Sequence, residues 1–137
     1  MNFTMDSIYL DANAETERLA EALKDTVAFK LKKRGAVVGV SGGIDSSVVL
    51  ALCAKTFGPD KVLAIMMPER DSSPESKELA TLLCEKFKVP YILEDITDDV
   101  HGFGCYERRD KAVKRVFPEY DPKNYKMKIV LHSDIEA

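Results

Sequence analysis

The stretch that most constrains this chain is Ala36-Val37-Val38-Gly39-Val40-Ser41-Gly42-Gly43-Ile44-Asp45-Ser46-Ser47. A short β-branched apolar run ends in small residues, and a segment with helical apolar spacing follows at once. That order reads as a buried parallel strand, a tight turn and a helix N-terminus. Gly42 and Gly43 let the backbone turn through positive φ and approach a ligand closely. The N–H groups of a first helical turn then point into the concavity, where the helix dipole favours an anion. Ser41, Ser46 and Ser47 add hydroxyls around the same point. The pattern is that of a phosphate cradle.

The cradle is not of the Walker kind, because Gly42-Gly43 is not followed by Lys and Ser/Thr. The glycine spacing also fails the dinucleotide fingerprint. Asp45 stands where a lysine would be expected. An acid beside a phosphate is repelled unless a cation lies between them, so Asp45 points to Mg²⁺ shared by carboxylate and phosphate oxygens. The competing reading is that Asp45, Ser46 and Ser47 only begin a helix, at about 0.3–1 kcal/mol apiece. It leaves Ser-Gly-Gly after an apolar strand unexplained.

Ser41-Gly42-Gly43-Ile44-Asp45-Ser46 resembles the S-G-G-x-D-S loop of the ATP pyrophosphatase (PP-loop) superfamily. A second stretch, Met67-Pro68-Glu69-Arg70-Asp71-Ser72-Ser73-Pro74-Glu75-Ser76, resembles the M-P-x-R-x-S-S-P-E-S segment of NAD synthetases of the ammonia-dependent type. Both stand at the family's spacing, and the resemblance covers nearly the whole chain. It implies a Rossmann-like fold of the adenine nucleotide alpha hydrolase kind, with ATP and Mg²⁺ as cofactors. The implied reaction adenylates deamido-NAD and then amidates it with ammonia to NAD, releasing pyrophosphate and AMP. Gly39, Val40, Ser41, Gly42, Gly43, Ile44, Asp45, Ser46 and Ser47 would hold the nucleotide, with Asp45 on the metal and Asp45 and Ser46 as catalytic residues. Ligands in such sheets bind outside the carboxyl ends of the strands. Met66 and Pro68 therefore fall where the adenine would lie, although methionines there also suit a core. Arg70 is either a bidentate phosphate partner or an ordinary exposed arginine. The family further implies a homodimer, with a separate glutaminase as a possible ammonia source.

The chain of 137 residues suffices for one domain with one core, and residues 1–137 are read as a single ATP pyrophosphatase domain. It ends about halfway along a usual NAD synthetase, so the sheet is expected to be incomplete at the C-terminus. A second metal-binding acid and the later segments of the deamido-NAD site are not found in it, and the isolated chain is not expected to complete the reaction. Two other functions compete: another amide- or thiolation-type ATP pyrophosphatase, and a non-catalytic ATP-binding module. The second motif argues against the first.

Cys53, Cys84 and Cys105 are far apart, odd in number and without C-x-x-C spacing, which reads as reduced thiols in a cytoplasmic protein. No cysteine near residue 1 suggests a glutaminase nucleophile. No apolar run is long enough to span a bilayer, and the first residues lack the pattern of a signal peptide. His101 and His132 lack partners at metal-ligand spacing. Residues 106–128 carry eight Lys and Arg against four acids, a surplus of four, which leaves the rest of a chain of net charge −3 at −7. Such a run either draws an anionic substrate or is a solvated helix face. The acidic chain without a recognition motif is not expected to bind nucleic acid.

Residues 11–34 predict a long amphipathic helix with Leu19, Leu23, Val27 and Leu31 in line and Gly35 as its stop. A second helix should bury Val48, Val49, Leu52, Cys53 and Phe57, and a third, capped by Ser73 with Pro74 at N1, should bury Leu79, Leu83 and Phe87. Lys61–Met67 predicts a strand buried on both faces and Tyr91–Ile96 a third strand. Thr97-Asp98-Asp99 reads as a cap or turn, and a basic helix is expected near 106–116. Met127–Leu131 is either a fourth strand or a helix start. The fold class is α/β, a parallel sheet of three to four strands flanked by helices and joined by right-handed crossovers.

Overall fold

The β-branched run does form a strand. A computed structural model, which describes residues 9–126, places β1 at Ala36–Gly39, β2 at Val62–Met66 and β3 at Tyr91–Leu93. The three pair in parallel in the order β1-β2-β3, with Ala36 opposite Val62 and Ala64 opposite Tyr91. Each ladder is shorter than the apolar run that predicts it. Beyond β3, Glu94 and Ile96 still donate to the carbonyls of Met66 and Pro68 (2.9 and 3.0 Å), so the extended chain follows β2 past the ladder's end. The Met127–Leu131 segment and His132 lie outside the described residues.

Two crossovers step across the sheet in the same direction, one through helix α2 (Ile44–Phe57) and one through α3 (Pro74–Phe87). Both helices contact β2 and each other. The core between them and the strands is made by Val38, Val40, Leu50, Cys53, Ala54, Val62, Ala64, Met66, Ala80, Cys84 and Val89. The seam of each helix is the predicted one only in part: Cys53 is buried and Phe57, Leu83 and Phe87 pack against the core as expected, but Val48, Val49 and Leu79 do not. In α2 the buried residues are Leu50, Cys53 and Ala54, while Val48 and Val49 are exposed; in α3 they are Ala80 and Cys84, while Leu79 is exposed. Small side chains occupy the line of closest approach, where a helix lies near its strand, and Leu83 and Phe87 flank it. Burial pushes the Cys53 and Cys84 thiols up, which keeps them protonated and unreactive.

The expectation of strands buried on both faces is corrected. Along β2, buried and half-buried residues alternate, and on β1 Val37 is 66% exposed next to buried Val38. The helices α2 and α3 cover one face, and the alternate residues of each strand point away from it. All of β3 is exposed.

The leading helix α1 runs from Ala12 to Lys24 and continues as a π-helical segment, Asp25–Lys30. Asp11 is its N-cap rather than a helical residue: one carboxylate oxygen accepts the N–H groups of Asn13 and Ala14 (3.0 and 3.1 Å). Apolar residues every four positions drift by about 40° per step around an α-helix. The widened π turns, seen where the Leu31 N–H reaches the Thr26 carbonyl at 2.9 Å, fall within that drift. Leu19, Leu23 and Val27 are half-buried and Leu31 is exposed. The helix packs along α2, with a Lys55–Glu17 ion pair at 2.8 Å. Gly35 does not stop it; the chain turns earlier, at Lys32 (φ 52°). Gly35 is needed for another reason, since a Cβ there would overlap the Lys61 carbonyl oxygen.

The chain divides into two compact units, the first ending at Thr97 and the second beginning at Asp98. Thr97-Asp98-Asp99 opens helix α4 (Thr97–Gly102). Helix α5 (Cys105–Lys114) follows Gly104, whose φ of 69° makes the break. In the second unit Tyr106, Val113 and Tyr120 are buried, His101 stacks on Tyr106, and the Arg109 guanidinium lies 5.5 Å over the Tyr106 ring. Arg108, Lys111, Lys114 and Arg115 are exposed, as on a solvated helix face.

Replacing Leu50, which is fully buried, by Ala should lower stability by about 2–5 kcal/mol. Leu82, which is 62% exposed, should tolerate the same change within about 1 kcal/mol. Urea denaturation of both variants measures the difference, and equal losses would contradict this core.

Candidate functional site

Val40 to Gly43 link β1 to α2 at the carboxyl edge of the sheet. Gly42 has φ 79°, and a Cβ there would overlap the carbonyl oxygen of Ser76 in the first turn of α3. Only glycine satisfies both conditions. Gly43 differs from the expectation: its φ of −81° is open to any residue, and it serves as the N-cap of α2 without a side-chain cap.

The serines hold the loop together. The Ser46 hydroxyl donates to the Gly43 carbonyl (3.1 Å) and accepts the Ser41 N–H (3.2 Å). Its one proton being used, the 3.2 Å contact between the Ser41 and Ser46 hydroxyls has Ser41 as donor. Ser41 Oγ in turn accepts the Gly43 N–H at 3.3 Å, and Ser47 donates to the Gly43 carbonyl at 2.8 Å. The hydroxyls thus converge on Gly43 and leave the first amides of α2 without a side-chain cap.

Beside the loop lies a cleft of about 470 Å³, within the usual range for small-molecule sites. It has two kinds of wall. Ile65, Met66, Met67, Pro68, Ala80 and Leu93 are apolar; Ser41, Ser72, Ser73, Ser76 and Lys77 bring hydroxyls and one amine. Of the residues expected at a site, Gly39, Val40, Ser41, Met66 and Pro68 line the cleft. Gly42, Gly43, Ile44, Asp45, Ser46 and Ser47 form the adjoining loop and the first turn of α2, with Asp45 exposed. Met66 is buried, so it serves the core as well as the wall. Arg70 is not part of the lining; its guanidinium lies 3.5 Å from the Asp71 carboxylate. That loop is fastened by the Asp71 N–H on the Glu69 carboxylate and the Glu69 N–H on the Ser72 hydroxyl, both 3.0 Å. Among the described residues no cluster of three or more His, Cys, Asp or Glu could hold a metal ion.

The wall contributed by α3 was not identified from the sequence. Its signal is helical spacing: Ser73, Ser76, Lys77 and Ala80 stand at i, i+3, i+4 and i+7, one stripe of the helix. Leu93 could have been found as Met66 was, as the last residue of a strand in a parallel sheet.

An open parallel sheet with a glycine loop leading into an uncapped helix, and a cleft at the carboxyl edge, defines a nucleotide-site α/β architecture. Within that class the sequence matches the model of the NAD synthase family over residues 15–128, and the chain belongs to that family. It is 42% identical over 130 residues to an NH3-dependent NAD+ synthetase of Rhizobium rhizogenes, covering 95% of this chain and 39% of that protein. Its fold is similar to that of an NH3-dependent NAD synthetase from Campylobacter jejuni in complex with nitrate. The TM-score is 0.63 and the identity 30%, over 69% of this chain and 40% of that one. A glutamine-dependent NAD+ synthetase from Acinetobacter baumannii in complex with ADP matches at TM-score 0.63 and 25% identity, over 89% of this chain and 24% of that one. The chain thus spans about two fifths of the length of the curated relatives it matches.

Gly42→Ala should destabilise the loop strongly and Gly43→Ala little, because a Cβ at Gly43 meets only the Ser41 hydroxyl at 3.4 Å. We expect losses of about 1–3 kcal/mol and under about 1 kcal/mol respectively in urea denaturation. The reverse order would contradict the loop geometry.

Proposed function

We propose that this chain carries the ATP-binding part of an ammonia-dependent NAD synthetase. The observation that carries the reading is the uncapped N-terminus of α2 behind the Gly42 turn, next to a cleft lined by Ser41, by apolar residues of the strand ends and by serines and Lys77 of the second motif's helix. Amides at a helix N-terminus suit a phosphate chain. Met66, Met67, Pro68 and Leu93 suit a purine ring. The ADP complex of the Acinetobacter relative supports an adenine nucleotide in this fold.

In the reaction proposed for the whole protein, a carboxylate oxygen of deamido-NAD attacks the α-phosphorus of ATP and pyrophosphate leaves. Ammonia, free or from a separate glutaminase, then attacks the acyl carbon and AMP departs with the carboxylate oxygen. The loop's part is electrostatic: its amides and the α2 dipole face the charge that grows on the departing pyrophosphate. Ser41 and Ser46 fix the backbone that aims those amides. Asp45, exposed in the first turn of α2 and a hard oxygen donor, is the residue that would hold a Mg²⁺ ion. When bound, Mg²⁺ would neutralise phosphate charge. Arg70 would have to leave Asp71 to reach a phosphate.

The reading extends to a cytoplasmic homodimer, for which the free thiols of Cys53, Cys84 and Cys105 and the apolar leading segment are the support. Tyr9, Leu10, Phe29 and Leu31 leave apolar surface on the leading segment of a kind that suits a second copy.

Calorimetry with ATP tests the reading. Gly43→Val, at a φ of −81° that any residue adopts, should weaken ATP binding about ten-fold or more in a chain that stays folded. Asp45→Asn should weaken binding about ten-fold in the presence of Mg²⁺ and leave metal-free binding nearly unchanged. Equal losses with and without the metal would assign Asp45 to the helix alone. AMP release that depends on deamido-NAD, in the whole protein, separates a synthetase from a binding module.

A further inference from the structure

We propose that Lys77 is the cation that this cleft presents to the phosphates of the bound nucleotide, supplied from α3 in place of the lysine the loop lacks. The inference deepens the ATP-site reading and rests on it. Lys77 is the one charged side chain among the described residues that line the cleft. It stands on the hydroxyl-rich wall, between Ser76 and the stripe that runs to Ala80.

Its position relative to the loop is fixed by backbone, not by side-chain packing. The Ser76 carbonyl sits where a Cβ of Gly42 would be, so the first turn of α3 lies directly on the cradle. Lys77 is the next residue, one step further around the helix. The loop itself offers an acid, Asp45, at the place of a Walker lysine, and Arg70 lies with Asp71 outside the lining. A tri- or diphosphate spanning the cleft and the adjoining loop would therefore meet the loop's amides, serine hydroxyls and one exposed ammonium. An ammonium serves a phosphate as a point charge, without the fixed geometry of a guanidinium. The charge of Lys77 also reaches the carboxyl edge beyond β3. Asp95 there is held below the usual carboxylate range, first by hydrogen bonds from Thr97 and, less, by Lys77.

The test is binding of ATP, inorganic pyrophosphate and adenosine to the full chain by calorimetry, at low and high salt. Lys77→Ala and Lys77→Gln should weaken ATP and pyrophosphate about ten-fold or more at low salt. Adenosine affinity should be unchanged, the salt dependence of ATP binding should flatten, and Lys77→Arg should restore most of the loss. ATP affinity within two-fold of the unsubstituted chain would overturn the assignment. So would a parallel loss of adenosine binding, which marks a structural role. If the unsubstituted chain binds no ATP, the ATP-site reading itself falls, an outcome separate from an unchanged Lys77 variant.

Discussion

The two motifs of this chain are joined by a contact between backbones. Gly42 turns through positive φ with its Cα against the Ser76 carbonyl, so that loop and helix N-terminus share one surface. The rest of the site follows from that approach. It sets α3 beside the carboxyl edge of β1 and β2, brings Ser73, Ser76 and Lys77 to the cleft, and makes one wall out of a helix that in sequence is thirty residues away from the loop. A side chain at residue 42 would separate the motifs before it disturbed either one alone.

The scaffold under this contact is one-sided. Helices α2 and α3 lie on one face of the sheet, over β1 and β2, and the core is a thin layer in which Ala64, Ala80 and Cys84 let the helices come close. The alternate residues of β1 and β2, Val37 among them, look the other way. Parallel sheets are commonly covered on both faces. The exposure of Val37 and Ile92 therefore describes a sheet with one face available for covering, a property of these strands wherever the covering comes from.

Much of the fold was legible because parallel strands, helix signals and glycine turns follow one another in the order the topology needs. The strand at Ala36, the Ser73–Pro74 start of α3 and the α/β class were read from single local signals. The helix seams were legible in part, at Cys53, Phe57, Leu83 and Phe87. Apolar periodicity is weighted by large residues such as Val48, Val49 and Leu79, whereas the line of closest approach is chosen by small ones. The open face was hidden for a similar reason, since an apolar strand residue reads the same whether or not a helix covers it. At the site, the Gly42 turn was visible because glycine has few other uses there. Lys77 was invisible because a lysine on a helix is normally solvated surface, and only the tertiary approach of α3 to the loop distinguishes it.

The contrast between two helix starts in the same chain says most about the loop. At α1, Asp11 takes the N–H groups of Asn13 and Ala14, an arrangement worth about 0.5–2 kcal/mol. At α2 three serines stand within reach of the first turn, and none of them caps it. Ser46 and Ser47 donate to the Gly43 carbonyl, and Ser41 is engaged with Ser46 and with the Gly43 N–H. The stabilisation that a side-chain cap would add is forgone at α2, beside the cleft, and also at α3, whose first turn lines it. A capped α2 would have a better-satisfied first turn and nothing to offer an anion. In the proposed reading, hydroxyls that shape the loop, an acid at residue 45 and a lysine from the neighbouring helix would divide among themselves what a Walker loop does with a single lysine and its own amides.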